Sequence, residues 1–301
     1  MEDKKRLIVI VGPTSSGKSD LAVKLARRFH GEIVSADSRQ AYKGLNIGAG
    51  KITKKEMLGV PHHLLGVVSP KQTFSAGRYQ KLALKAIKQV FQKGRIPFLV
   101  GGSPFYVYAA TDGLVFPEVQ PNFLLRKQLE AMPADALFQK LQKLDSERAG
   151  SIEQKNKRRL VRALEIVLAT KKPVPVLQKH PLPYPVLFLG IKRENEELKK
   201  RICARLEKRF KQGMIAEVKK LKVGGLSWKR LESFGLEYRW IARFLQRKIS
   251  RQAMIQSLKK DIGDFARRQM TWFKKDPRIR WIQNSKEALA EITNFMPQRI
   301  K

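Results

Sequence analysis

Leu7-Ile8-Val9-Ile10-Val11-Gly12-Pro13-Thr14-Ser15-Ser16-Gly17-Lys18-Ser19 decides the fold of this chain. Its first five residues form a continuous apolar, mostly β-branched run that stops at Gly12, which predicts a strand buried on both faces. After Gly17, Leu21 with Leu25 and Ala22 with Ala26 recur at four-residue spacing, which predicts a helix. Between strand and helix, Gly12 to Ser19 fits G-x-x-x-x-G-K-[ST]. In that setting backbone N–H groups and the positive end of the helix cradle a diphosphate, Lys18 supplies a mobile cation, and the Ser19 hydroxyl can join the shell of a Mg²⁺ ion. Gly12, Pro13, Thr14, Ser15, Ser16, Gly17, Lys18 and Ser19 are therefore expected to bind a diphosphate, with Ser19 on the metal. The motif leaves open whose diphosphate it is.

Further strands are predicted at Glu32–Ser35, Ile96–Val100, Val186–Ile191 and Ile279–Ile282, with a helix from about Tyr79 to Gln92 and long basic helices to about Lys275. Apolar strands alternating with helices predict an α/β fold, a P-loop NTPase-like parallel sheet flanked by helices. From about Phe116 the apolar residues keep helical spacing only, as in Leu137, Leu141, Leu144 and Leu160, Leu164, Leu168. Pro173, Pro175, Pro181, Pro183 and Pro185 then rule out a regular helix and predict an extended connector. The expected organisation is a core of residues 1–115 and 186–301 with an all-helical insertion at 116–185.

The chain has 301 residues, 62 of them Lys or Arg against 26 Asp or Glu, a formal charge of +36. With 43% apolar residues it can still bury a core, so the charge marks a partner and not disorder. Nucleic acid is the first partner to consider and an anionic membrane surface the second. No run approaches the roughly 20 apolar residues that span a bilayer, so no membrane association is expected. Cys203 stands alone and the start, Met1 to Arg6, lacks a signal-peptide core, so a reducing, cytoplasmic setting is expected, and a monomer.

A nucleotide hydrolase or kinase normally adds an apolar strand ending in a Mg²⁺-binding Asp. The Ile96–Val100 strand instead runs into Gly101-Gly102-Ser103, and the one strand ending in an acid is Ile33-Val34-Ser35-Ala36-Asp37. Asp37 could hold Mg²⁺, act as a general base, or cap the turn beginning at Ser38.

Several blocks, in order, resemble the signatures of the tRNA dimethylallyltransferase family. They are Gly12 to Ser19; Ser35-Ala36-Asp37-Ser38-Arg39-Gln40; Tyr42 to Gly48; Pro61-His62-His63-Leu64; Phe74-Ser75-Ala76; Leu99 to Tyr106; Arg158 to Glu165; and Arg268 to Phe273. The resemblance, to the form without a zinc-finger extension, implies transfer of a dimethylallyl group from dimethylallyl diphosphate to N6 of the adenosine 3′ of the anticodon. The phosphate loop then serves a prenyl donor with Mg²⁺, and ATP is not its ligand. By the same resemblance Asp37 is the base for the N6 proton, Ser103 lies at the reacting centre and Arg205, from Arg201-Ile202-Cys203-Ala204-Arg205, holds the diphosphate. Asp37, Ser38, Arg39 and Gln40 fall in one tRNA-contacting segment, and Arg158, Arg159, Leu160, Val161 and Arg162 in another, so the anticodon arm is the expected partner. The chain departs from the usual I-G-T-A-K at Ile47-Gly48-Ala49-Gly50-Lys51, losing a hydroxyl at Ala49, and has Gly66 where the family often has Asp. Ser233 to Tyr238 also departs from its usual spelling and is given a structural role only.

Beside this reading, Arg158, Arg159 and Arg162 partly share a helical face, and guanidinium groups suit phosphates. His62 and His63 lack partners at ligand spacing and are expected to be structural. Met270, Trp272 and Phe273 are expected in the core. Two rivals stand: a small-molecule kinase in which Asp37 activates a hydroxyl and ATP is consumed, and a non-catalytic RNA-binding protein that uses nucleotide as a switch.

Overall fold

The computed structural model describes residues 5–296, so the outermost residues of the expected core, 1–4 and 297–301, lie outside the described residues. The chain divides into two compact units, Met1–Gly113 with Pro181–Lys301, and Leu114–His180. The first unit opens with β1 (Leu7–Val11), α1 (Lys18–Arg28), β2 (Gly31–Ser35), α2 (Lys54–Met57), β3 (His62–His63), α3 (Ala76–Gln92), β4 (Ile96–Gly101) and α4 (Pro104–Thr111). The second holds α5 (Phe123–Ala131), α6 (Ala134–Leu144), α7 (Ser146–Ser151) and α8 (Lys157–Thr170). The first resumes with β5 (Val186–Ile191), α9 (Asn195–Lys211), α10 (Met214–Val223), α11 (Trp228–Ser233) and α12 (Leu236–Leu245). It closes with α13 (Arg251–Phe273), β6 (Ile279–Ile282) and α14 (Ser285–Phe295).

The six strands pair in parallel in the order β3-β2-β4-β1-β5-β6. Val9 sits between Leu99 of β4 and Phe188 of β5, which puts the motif-bearing strand at the centre. Side chains alternate across a strand, so β1 feeds two cores. Leu7, Val9 and Val11 pack with Tyr79, Ile87 and Phe273, whereas Ile8 and Ile10 pack with Val23, Leu187 and Ile292. Helices thus cover both faces of a P-loop NTPase-like parallel sheet, as the uninterrupted apolar strands predict. The basic stretch after β5 is five helices whose inward residues, among them Leu206, Tyr238, Met254 and Leu258, form a third apolar cluster.

β3 has no counterpart in the sequence reading. Two histidines carry no periodicity, and the strand exists only because Ile33 and Val34 of β2 pair with them. In the helical unit Leu129, Leu137, Leu141, Leu160 and Leu164 form the core, while Leu124 and Leu144 stay exposed. This unit closes at 114 and 180, whereas the expected insertion ran 116–185. An antiparallel bridge joins Leu114 to Lys179, and the Val115 N–H donates to Gln178 O at 3.0 Å. Beyond it the connector already belongs to the first unit: Leu182 and Tyr184 pack against the sheet, and Pro185 O accepts from Leu7 N–H at 3.1 Å.

Candidate active site

The phosphate loop leaves β1 at Val11 and enters α1 through Gly17, an N-cap that offers no side-chain acceptor to the first-turn N–H groups. Those donors and the helix dipole favour an anion. Lys18 Nζ donates to Pro13 O at 3.2 Å. Burial, with Arg205 as the next cause, pushes its pKa down to about 8, against a smaller upward pull from Asp37. From α9, Arg205 Nη1 donates to Thr14 Oγ1 at 3.2 Å. Burial, then the neighbouring Arg209, push its pKa down to about 10. Both cations therefore meet only neutral oxygens of the loop, a carbonyl and a hydroxyl.

Arg209, one turn beyond Arg205, is buried and ion-paired with buried Glu237 at 2.9 Å, and it donates to Gly48 O at 3.2 Å. Gly50 makes room for this packing. Its φ is +58°, and a Cβ there would fall 1.7 Å from Arg209 Nη2 and 2.2 Å from Arg205 Nη2. The loop around it is pinned by Glu217, which accepts from the N–H groups of Asn46, Ile47 and Gly48 at 3.0, 2.7 and 3.0 Å. Tyr238 Oη donates to Glu217 at 2.9 Å and accepts from Ala49 N–H at 3.0 Å. Lys51 Nζ ties the same loop to Tyr42 O and Asn46 Oδ1. The position that lacks the usual hydroxyl is thus held through its backbone.

Asp37 follows β2. Its Oδ1 accepts from the N–H groups of Arg39 at 2.8 Å and Gln40 at 3.2 Å, so the turn-capping role is real, but it occupies one carboxylate oxygen only. A cavity of about 380 Å³ is lined by Asp37, Arg39 and Gln40 together with Thr14, Ser15, Gly17, Lys18, Ser19 and Arg205. Its apolar wall includes Ala49, Ile52, Leu236, Ile262 and Phe265. Gly12, Pro13 and Ser16 build the loop without being among the lining residues. Neither Ser38 nor Ser103 lines it: Ser103 Oγ accepts from Ser38 N–H at 3.3 Å. Arg39 Nε donates to Phe234 O at 2.7 Å, and Gln40 Nε2 to Gly50 O at 3.1 Å, so both side chains also brace neighbouring loops.

Sequence reasoning missed Arg209, Glu237, Glu217, Tyr238 and Gln269. A signal for Arg209 exists: Arg201, Arg205 and Arg209 follow at four-residue spacing on one helix. The segment Ser233 to Tyr238 does more than its expected structural role, since Leu236 and Glu237 line the cavity. Trp272 is 46% exposed and Met270 only half-buried, against the core placement expected for them, while Phe273 is fully buried. The inner face of α13 runs through Ile262, Ala266, Gln269 and Phe273, and Trp272 points one residue, about 100°, away from it.

In the helical unit, Arg158 and Arg159 are exposed at the start of α8. Leu160 and Val161, expected in the tRNA-contacting segment, are corrected by the structure: their side chains are 0% and 5% exposed and belong to the unit's core. Helical periodicity turns them inward when 158 and 159 face out. Arg162 donates to Val119 O at 3.1 Å and is ion-paired with Glu165.

His63 Nε2 meets Glu32 Oε2 at 2.6 Å, and His62 Nδ1 meets Val60 O at 2.8 Å, as structural residues do. Among the described residues no group of three His, Cys, Asp or Glu side chains could hold a metal, and no helix is long and apolar enough to cross a membrane.

A parallel sheet with this order, a phosphate loop after its central strand and cations around that loop place the molecule in the P-loop NTPase-like class. The chain belongs to the IPP transferase family, whose model matches residues 40–276. It is 38% identical to a tRNA dimethylallyltransferase of Carboxydothermus hydrogenoformans, over 96% of this chain and 95% of the relative. It is 41% identical to tRNA dimethylallyltransferase 1 of Geotalea daltonii, over 96% and 94%. Among solved structures, a tRNA isopentenylpyrophosphate transferase from Bacillus halodurans matches with a TM-score of 0.72 and 34% identity, over 97% of this chain and 95% of that one.

Proposed function

We propose that this chain, a transferase, moves a dimethylallyl group from dimethylallyl diphosphate to N6 of the adenosine 3′ of the anticodon in tRNA and releases diphosphate. The observation that carries the reading is the cavity in which the Asp37 carboxylate shares a wall with the phosphate loop and its two cations. An adenine amine is a weak nucleophile, so stabilising the leaving group dominates the rate. Lys18 and Arg205, which have no carboxylate partner in their hydrogen bonds to the loop, take the charge of the departing diphosphate. N6 forms the new bond to the allylic carbon, the carbon–oxygen bond breaks with its electron pair on diphosphate, and the N6 proton passes to Asp37.

The donor set fits Mg²⁺. That ion keeps several waters and is bound largely through substrate phosphates, and Ser19 lines the cavity beside the phosphate loop, while Asp37 is kept for the N6 proton. When bound, Mg²⁺ would neutralise leaving-group charge, with Ser19 as its protein ligand. Ser103 supports the reacting centre through Ser38. The target base unstacks from the anticodon loop to reach the cavity, as loop bases do readily. Asp37, Ser38, Arg39 and Gln40 on the sheet unit, and Arg158, Arg159 and Arg162 on the helical unit, contact the anticodon arm; the chain works as a cytoplasmic monomer.

The test is transfer of labelled dimethylallyl from its diphosphate to unmodified tRNA with Mg²⁺, beside an ATP-consumption assay. Label in tRNA without ATP loss is expected. ATP loss without label would put the kinase reading in its place.

A further inference from the structure

Gln269 lies on the inner face of α13, 4% exposed, and its amide is bonded at both ends. Oε1 accepts from the backbone N–H of Thr14 at 2.8 Å, and Nε2 donates to the carbonyl of Gly102. The fit at Gly102 is close: a Cβ there would fall 2.3 Å from Nε2. One end of this bridge is the phosphate loop, at the residue whose hydroxyl holds Arg205. The other end is the last turn of chain before Ser103, whose N–H donates to Ala36 O and whose Oγ accepts from Ser38 N–H, on either side of Asp37. Hydrogen bonds and the Gly102–Ser103 link therefore connect the donor loop, through one side chain, to the backbone on either side of Asp37.

We infer that Gln269 is a positioning residue that fixes the distance between the phosphate loop and the Asp37 side of the cavity. The inference rests on the proposed transfer reaction, in which donor and acceptor approach from those two sides. The terminal amide supplies an acceptor for Thr14 and a donor for Gly102 from one planar group at every pH, which a carboxyl does only when protonated. Gln269 borders the cavity, but both polar ends of its amide are taken by Thr14 and Gly102, and it acts through them. A misplacement of about 1 Å can cost about 10²-fold in rate while binding persists, because orientation enters the transition state more strongly than the ground state.

The experiment compares wild type with Gln269→Met, which keeps the shape and loses both bonds, and Gln269→Glu, which keeps the acceptor and loses the donor. Label transfer is measured as kcat and KM for each substrate from pH 5.5 to 8.5, with a thermal melt of each protein. Gln269→Met is expected to lose about 10²-fold in kcat with both KM values within about threefold of wild type. Gln269→Glu is expected to be similarly slow at pH 8 and to recover, relative to wild type, as falling pH protonates the carboxyl and restores a donor to Gly102. Should Gln269→Met melt early, the pH recovery of Gln269→Glu decides the matter when its melts, run at each pH, show it fully folded across the range, since a purely structural role gives recovery only where the melt recovers with it. Unchanged kcat in both variants, or a loss confined to KM, overturns the inference. A wild type that transfers no label sinks the proposed function, and the inference with it, before any variant is compared.

Discussion

The two arginine clusters of this chain are built on opposite plans. In the helical unit, enclosed Glu165 takes Arg126 Nη2 at 2.6 Å, Arg126 Nε and the Asn122 N–H at 2.8 Å, and Arg162. Burial opposes its charge, but these hydrogen bonds prevail and hold the carboxyl below its ordinary range. Around the phosphate loop Arg209 pairs with Glu237, and Arg193 and Arg201 pair with Glu197, while Lys18 and Arg205 rest on a carbonyl and a hydroxyl and are pushed down instead. A cation that meets a carboxylate inside the protein has its electrostatic demand met by the fold. One that meets only neutral oxygens has a demand that an anionic ligand can meet, and functional sites concentrate such groups.

The comparison breaks most sharply at Asp37, the acid that faces the unsatisfied cations. Asp37→Ala is expected to lower kcat for prenyl transfer by about 10²–10⁴-fold with tRNA affinity retained, measured by single-turnover label transfer and filter binding. In the satisfied cluster, Glu165→Ala should cost about 3 kcal/mol of stability, because it strands two arginines, and should leave donor binding intact; a thermal melt and a donor titration separate the two. The wild-type contribution of Glu165 is present above about pH 4.5, its unfolded value, and is lost as pH falls through the lower folded value.

Gly50→Ala should push both guanidinium groups off the loop and raise KM for the donor about tenfold, with a smaller effect on KM for tRNA. The Lys18 amine gives a pH signature of opposite sign to Glu165. Donor diphosphate raises its pKa from about 8, so binding takes up a proton above that pH and affinity falls by up to about tenfold per pH unit there. Calorimetry in buffers of different ionisation enthalpy reads that proton directly. The smallest effect belongs to the exposed end of α8: Arg159→Ala, which also loses a loose 3.9 Å pair with Glu153, should weaken tRNA binding a few-fold and reduce the salt slope by about 1. Unchanged tRNA affinity would remove that segment from the interface.

How much of this was legible in the sequence follows from how local each signal is. Five strands, the phosphate loop and Asp37 at a strand end could be read because each is a run, a motif or a punctuation mark within a few residues, whereas Arg205 comes only with the family resemblance. Glu217, Tyr238 and Gln269 could not, because their partners lie 171, 189 and 255 residues away in the chain and no periodicity links them. Leu160 and Val161 show the limit of a resemblance carried over a whole segment: the segment matches, yet helical geometry turns its middle residues into the core. Trp272 shows the converse, an aromatic residue that composition places inside and helix phase places outside.

Titration of dimethylallyl diphosphate with Mg²⁺ into wild type, Arg205→Ala and Arg162→Ala tests most directly the claim that unsatisfied cations mark the donor site. Binding should weaken by at least about tenfold in Arg205→Ala, whose guanidinium holds only a hydroxyl, and should be unchanged in Arg162→Ala, whose charge Glu165 already meets. Equal weakening in both variants, or none in Arg205→Ala, would contradict the account.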